Sequence, residues 1–186
     1  MSTQPLEAAI KSTRSVLASV TPDQLGIPTP CASWSVTDLI NHVIGAQYFF
    51  ASGATGEPPT EAGPDFASGD FVRSFDEASA ICLAAFSSEG VMQKMLTLPF
   101  GQMPGAAVVG LAATDTFTHG WDLAKATGQS TDLAPELAAG LLAGARQSIS
   151  PAFRGEDGKA PFTAEQPAPE GATNADRLAA FLGRNV

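Results

Sequence analysis

Apolar residues recur at intervals of three and four positions along much of this chain, a pattern typical of α-helices with one buried face. One such segment begins near Val36, where Ser35 and Asp38 have the spacing of a helix-start capping box. Its apolar positions are Val36, Leu39, Ile40, Val43, Ile44 and Phe50. Alanine and leucine outnumber β-branched residues in the periodic segments, which favours helix over sheet. We therefore predict an all-α fold.

Proline and glycine indicate where the helices begin and end. The patterns predict helices over 5–20, from 36 into the Gly/Pro-rich stretch 51–64, over 70–87, over 104–127 before Gly128, over 135–149, and a short one within 174–184. The stretch 91–105 breaks this period and indicates an extended or hairpin segment. A bundle of about four long helices, with an additional short helix and an extended C-terminal tail, fits this order.

Length and charge limit the partners we expect. A chain of 186 residues suits one well-buried core, so we predict a single domain over 1–186. The 19 acidic against 10 basic residues give a net charge of -9, which repels nucleic acid and anionic lipid surfaces. The first residues lack the apolar core of a signal peptide, and no apolar run approaches membrane-spanning length. We expect a cytoplasmic protein.

Three polar side chains share one face of the predicted helix 104–127. Asp115, His119 and Asp122 stand at i, i+4 and i+7, which places them on one stripe with apolar neighbours. Asp115 and His119 are either an ordinary helical pair, worth a few tenths of a kcal/mol, or two metal ligands. The second histidine, His42, lies at the rim of the apolar face of the helix that begins at Val36.

Helical bundles build metal sites from carboxylates and histidines that project inward from facing helices. The two histidines of this chain lie on helices that can face each other, which favours ligation over two unrelated polar contacts. Two neutral imidazoles and one carboxylate leave coordination positions open, as in catalytic sites, and they suit zinc.

The cysteines and tryptophans have simpler interpretations. Cys31 is either a reactive thiol or, in the favoured interpretation, a buried small side chain. Its place before the helix start puts it roughly 9 Å or more from His42 along the axis, too far to share an ion unless the loop folds back. Cys82 lies on an apolar stripe and is expected in the core, and Trp34 and Trp121 are interpreted as packing residues.

Three segments carry a resemblance to a known family. They are "TPCASWSVTDLINHVIGAQYFFA", with W-x(4)-L-x(2)-H, "AATDTFTHGWDLAKATGQ", with D-x(3)-H-G-W-D-L-A, and the closing "DRLAAFLGR". Together they resemble the N-terminal domain of the mycothiol-dependent maleylpyruvate isomerases, within the DinB-like superfamily. The resemblance implies a DinB-like four-helix bundle with a divalent metal, commonly zinc or nickel, held by His42, Asp115 and His119. It also implies a homodimer by analogy with superfamily members.

The chain departs from this family in two respects. Asp115 stands where the family motif, E-x(3)-H, has a glutamate, so the helix must approach the metal more closely or the metal preference differs. The isomerase proper has a further C-terminal domain involved with its substrate, whereas few residues follow the predicted helix 135–149. This second departure counts against the isomerase reaction itself.

The leading hypothesis is a metal-dependent enzyme that activates a low-molecular-weight thiol, such as mycothiol or bacillithiol, for transfer to or isomerisation of a small electrophile. A divalent ion deprotonates a thiol that coordinates it, which creates a nucleophile at neutral pH. Asp122 is expected to orient His119 or a metal-bound cofactor. The alternatives are a hydrolase in which the ion activates water, and a non-catalytic protein that binds a metal or a small molecule.

Overall fold

The computed structural model describes residues 2–31, 33–57, 65–156, 159–160 and 162–186. Within these ranges the chain forms six α-helices and one antiparallel hairpin. They are α1 (Gln4–Leu17), α2 (Val36–Thr55), α3 (Phe71–Ser87), β1 (Met95–Leu98), β2 (Gly101–Pro104), α4 (Gly105–Ala126), α5 (Pro135–Ser148) and α6 (Asn174–Phe181). None of these helices combines the length and the apolar character that crossing a lipid bilayer requires.

The predicted helix starts and ends follow from capping. The Ser35–Asp38 capping box is present at the start of α2: Asp38 Oδ2 accepts from the Ser35 backbone N–H at 2.9 Å, and Ser35 Oγ accepts from Asp38 N–H at 3.3 Å. Gly128 follows α4 with a φ of +71°, the left-handed conformation that ends many helices. The helical segments were therefore predictable from local chemistry, and the mostly helical fold is confirmed in outline.

The end of the first helix and the purely helical fold class need correction, and two other predicted segments agree with the structure. The first helix ends at Leu17 and not near residue 20 as predicted. A turn follows directly after Leu17. The segment 91–105, predicted to be extended or a hairpin, contains the hairpin of β1 and β2. The fold is therefore not entirely α-helical. Helix α2 extends into the Gly/Pro-rich stretch 51–64 as predicted and ends there at Thr55, and 58–64 lies outside the described residues.

Helix α4 packs against four of the other five helices. Helix α1 packs against α3 and α4, α2 packs against α3 and α4, and α5 and α6 pack against each other and against α4. The core between them contains large, fully buried side chains, among them Phe75, Phe86, Phe117 and Trp121. Cys82 is also fully buried, and burial raises the pKa of its thiol to about 12, so it is an inert core residue.

Helices α1 and α4 approach each other closely at Gly120. A Cβ atom placed on Gly120 would lie 2.3 Å from Thr13 Oγ1 and 3.2 Å from Thr13 Cα. Thr13 itself is tied to α4, because its hydroxyl donates to the Thr116 carbonyl at 2.8 Å. The side chain opposite Gly120 therefore has little freedom to move away.

We predict that Gly120→Ala destabilises the protein relative to Gly110→Ala, its matched control on the same helix. A Cβ on Gly110 meets nothing within 4 Å, so that variant reports only the gain of about 1 kcal/mol in helix propensity. Overpacking at Gly120 costs about 1–3 kcal/mol, which should separate the two free energies of unfolding by about that amount. Urea titration measures both; equal values would show that the α1–α4 contact tolerates a methyl group.

Candidate metal centre

Helices α2 and α4 bring His42, Asp115 and His119 together. Asp115 Oδ1 lies 3.7 Å from His42 Nε2 and 3.5 Å from His119 Nε2. One ligand atom from each of the three residues lies within 4.8 Å of the others, and the two imidazole rings meet edge to face at 4.6 Å. These separations suit three donors arranged about one small cation.

Two polar atoms of this cluster lack a hydrogen-bond partner. His42 Nε2 and Asp115 Oδ2 are inaccessible to solvent, and neither makes a hydrogen bond within the described ranges. A buried polar atom without a partner costs about 1–3 kcal/mol, so most such atoms in native proteins are satisfied. Both belong to groups that ligate metals, and their place in one cluster indicates that a ligand completes it.

The negative charge of Asp115 requires a positively charged partner. Burial raises the pKa of Asp115, but the adjacent His119 and His42 imidazoles lower it by more, so this pKa lies well below its ordinary value. Burial lowers the pKa of His119, but Asp115 raises it by more, with smaller contributions from Asp122 and Cys31. Asp115 is therefore a carboxylate, and either a proton on His119 or a bound cation balances it.

Asp122 holds His119 from the opposite side of the ring. Asp122 is fully buried, and its Oδ2 lies 3.0 Å from His119 Nδ1. Burial raises the pKa of Asp122, but Arg184 and His119 lower it to about 2, so it is ionised and accepts hydrogen bonds only. The proton on Nδ1 must then be donated to Asp122, which directs Nε2 toward Asp115 and His42.

Arg184, which sequence reasoning missed, compensates the buried charge of Asp122. Its Nε donates to Asp122 Oδ1 at 3.2 Å and its Nη2 donates to Asp122 Oδ2 at 2.9 Å, a bidentate pair. The segment carrying Arg184 is fastened to α4 by a second contact, in which Trp121 Nε1 donates to Asp176 Oδ1 of α6 at 2.9 Å. Trp121 is in the core, as predicted.

Cys31 lies on the Nδ1 side of His119, because the loop before α2 folds back. Its Sγ is 3.2 Å from Asp122 Oδ2, 4.0 Å from His119 Nδ1 and 3.4 Å from Arg184 Nη2. The fold-back is closed by backbone hydrogen bonds from Trp34 to Cys31 and from Thr29 to Trp34. The favoured interpretation of a buried side chain was wrong: Cys31 is half-buried and lines a pocket.

Trp34 also contributes more than packing. Its ring lies 4.5 Å from the His42 ring and 5.6 Å from the His119 ring, so it covers both imidazoles. These residues line one end of a pocket of about 770 Å³. This volume is in the range of small-molecule sites. The W-x(4)-L-x(2)-H motif contains both Trp34 and His42, but Trp34 precedes α2, and the conformation of that loop decided the contact.

The fold and this cluster define a helical protein with a candidate three-ligand metal centre at the end of a pocket. The chain matches the family described as the mycothiol maleylpyruvate isomerase N-terminal domain over residues 6–124. This match covers more than half of the chain, and the protein belongs to that family.

Two relatives come from Mycobacterium tuberculosis. The uncharacterized protein Rv0738 of strain ATCC 25618 / H37Rv is 48% identical over 173 residues, which cover 92% of this chain and 91% of the relative. The uncharacterized protein MT0763 of strain CDC 1551 / Oshkosh shows the same identity and coverage. No solved structure matches the chain.

We predict that Arg184→Met lowers the free energy of unfolding by about 3 kcal/mol, because it leaves the buried Asp122 carboxylate without its cation. Adding Asp122→Asn should cost less than the sum of the two single changes, since the pair is removed together. Arg73→Met is the control, because its ion pair with Glu77 is exposed to solvent and contributes little to stability. Additive effects in this double-mutant cycle would contradict the coupling of Arg184 and Asp122.

Proposed function

We propose that His42, Asp115 and His119 hold one divalent ion, with zinc as the expected metal and nickel as the alternative. The observation that carries this proposal is the pair of buried, unpartnered atoms, His42 Nε2 and Asp115 Oδ2, in a cluster that already contains an ionised carboxylate. Imidazole nitrogens and a carboxylate oxygen are ordinary zinc ligands, and three of them leave a position open.

A second group of donors, Cys31, His119 and Asp122, competes for the same histidine. Its atoms are already engaged: Asp122 accepts from Arg184 and from His119, and the Arg184 guanidinium lies 3.4 Å from Cys31 Sγ. A cation placed there would be repelled by Arg184, which is always charged. The charges therefore favour the group on the Nε2 side.

We propose further that a low-molecular-weight thiol of the mycothiol type binds at this centre and reacts with a small electrophile, by transfer or isomerisation. The family description and the pocket that adjoins the cluster support this proposal. A bound divalent ion would supply the thiolate, because coordination lowers the pKa of a thiol. Asp122 positions His119, and the Trp34 ring packs against both imidazoles.

The contacts around α4 support two further parts of the proposal. Helices α1 to α4 contact one another in the order α1, α3, α2, α4 and back to α1, as expected of the DinB-like four-helix bundle. We also propose that residues 1–186 form a single domain, and the bonds of α6 and Arg184 to side chains of α4 support this.

We expect elemental analysis of tag-free protein, or of protein dialysed against zinc, to find about one ion per chain. His42→Ala removes one ligand, so it should weaken zinc binding by far more than the roughly 10- to 100-fold expected for Asp122→Asn, which removes the charged acceptor that orients His119. Calorimetric titration of zinc into metal-free protein measures both affinities.

The controls for this experiment separate the two donor groups. Asp132→Asn, an exposed change, should leave zinc affinity unaltered. Cys31→Ser should have little effect if the ion binds on the Nε2 side of His119. A large loss with Cys31→Ser and none with His42→Ala would assign the ion to the other group and overturn the proposal.

The open position predicts a spectroscopic response to thiols. In cobalt-loaded protein, a sulfur-to-cobalt charge-transfer band should appear only after 2-mercaptoethanol is added, and it should appear equally in Cys31→Ser. If a band is present before the thiol and is lost in Cys31→Ser, then Cys31 fills the position. Thiol activation would then be abandoned.

A further inference from the structure

The end of the pocket away from the metal cluster is aromatic. It is lined by Phe49 and Phe50, about two turns beyond His42 on α2, and by Phe100. The Phe49 and Phe50 rings pack edge to face at 5.4 Å, and the Phe100 ring lies 6.3 Å from that of Phe49. Rings at these separations form a surface on which another planar group can stack.

Phe100 has an unusual environment for a large apolar side chain. It is 60% exposed, although it lines the pocket. It lies with Pro99 in the two-residue turn between β1 and β2, where Leu98 pairs with Gly101. Exposed aromatic residues beside a pocket mark ligand contacts more often than isolated surface positions do.

The hairpin that carries Phe100 is anchored on α2. Leu96 and Leu98 are buried beneath it. Gly53 of α2 makes room for this packing, since a Cβ there would lie 2.6 Å from Leu98 Cδ2. Packing of the hairpin against α2 therefore fixes the position of the turn that carries Phe100.

The polar groups that line the pocket between the two ends are already paired. Arg184, the cation among the described lining residues, donates to both oxygens of Asp122, to the Leu182 carbonyl and to Cys31 Sγ. Thr114, Thr118 and Thr163 each donate their hydroxyl to a backbone carbonyl. An anionic group entering the pocket would displace one of these contacts, in a chain of net charge -9.

We propose that the aromatic end is a binding subsite for an uncharged aromatic group, and that Phe100 determines this specificity. The subsite gives the electrophile of the proposed function a chemical class, and to that extent the inference rests on that function. The aromatic end itself disfavours an anionic group, because Arg184, the cation among the described lining residues, is already paired with Asp122.

The test is a fluorescence titration with N-phenyl-1-naphthylamine, a neutral aromatic probe, on metal-free and zinc-loaded protein. Phe100→Ala should weaken binding about threefold to tenfold in both forms, the effect of losing one aromatic contact. Phe100→Leu, which keeps apolar bulk, should lose less. The matched control is Phe153→Ala, because Phe153 is 49% exposed and does not line the pocket; it should bind like the wild type.

A displacement experiment on the metal-free protein tests the charge requirement. The neutral 2-naphthamide should displace the probe about tenfold better than 2-naphthoate, which has the same rings and a carboxylate. Equal displacement by the two, or equal probe affinity for Phe100→Ala and Phe153→Ala, would overturn the subsite. If the protein takes up no zinc, the metal proposal is refuted. If that protein still binds the probe in a manner that depends on Phe100, the subsite stands.

Discussion

The buried carboxylate of Asp122 organises the centre. A charge removed from water costs several kcal/mol unless it is paired and hydrogen-bonded, and Asp122 has both kinds of partner. Arg184 balances its charge, and His119 donates the Nδ1 proton to it. This single bond fixes which nitrogen of His119 is free, and so decides on which side of the ring a cation can bind.

Four consecutive residues of α4 contact four different parts of the protein. His119 faces Asp115 and His42, Gly120 meets α1, Trp121 bonds Asp176 of α6, and Asp122 bonds Arg184. Successive residues of a helix point about 100° apart, so such a run requires protein on every side of the helix. The proposed metal centre is therefore coupled to the C-terminal segment, although no residue of that segment is among its three proposed ligands.

The pocket divides into a charged end and an apolar end. At the charged end, Arg184 balances the charge of Asp122. A proton on His119 or a bound cation balances the charge of Asp115. At the apolar end the described lining offers aromatic rings. The proposed function would use both environments, with a thiolate formed at the charged end and the aromatic part of the electrophile held at the apolar end.

The sequence alone determined what depends on near neighbours. Apolar periodicity placed the helices, the Ser35–Asp38 box placed the start of α2, and the i, i+4, i+7 spacing placed Asp115, His119 and Asp122 on one stripe. These features follow from the helical repeat and from contacts a few residues apart. That the predicted ligands hold a metal is still a prediction.

Only the tertiary structure decided the partners that lie far apart along the chain. Arg184 meets Asp122 across 62 residues, and Cys31 approaches His119 across 88. The axial distance that kept Cys31 away assumed a straight path into α2, whereas two backbone hydrogen bonds turn the loop back. Trp34 and Phe100 reach the pocket from a loop and a hairpin turn, whose directions are set by packing against α2 and α4. No local pattern specifies such contacts, because they form only when separate elements bury their apolar faces together.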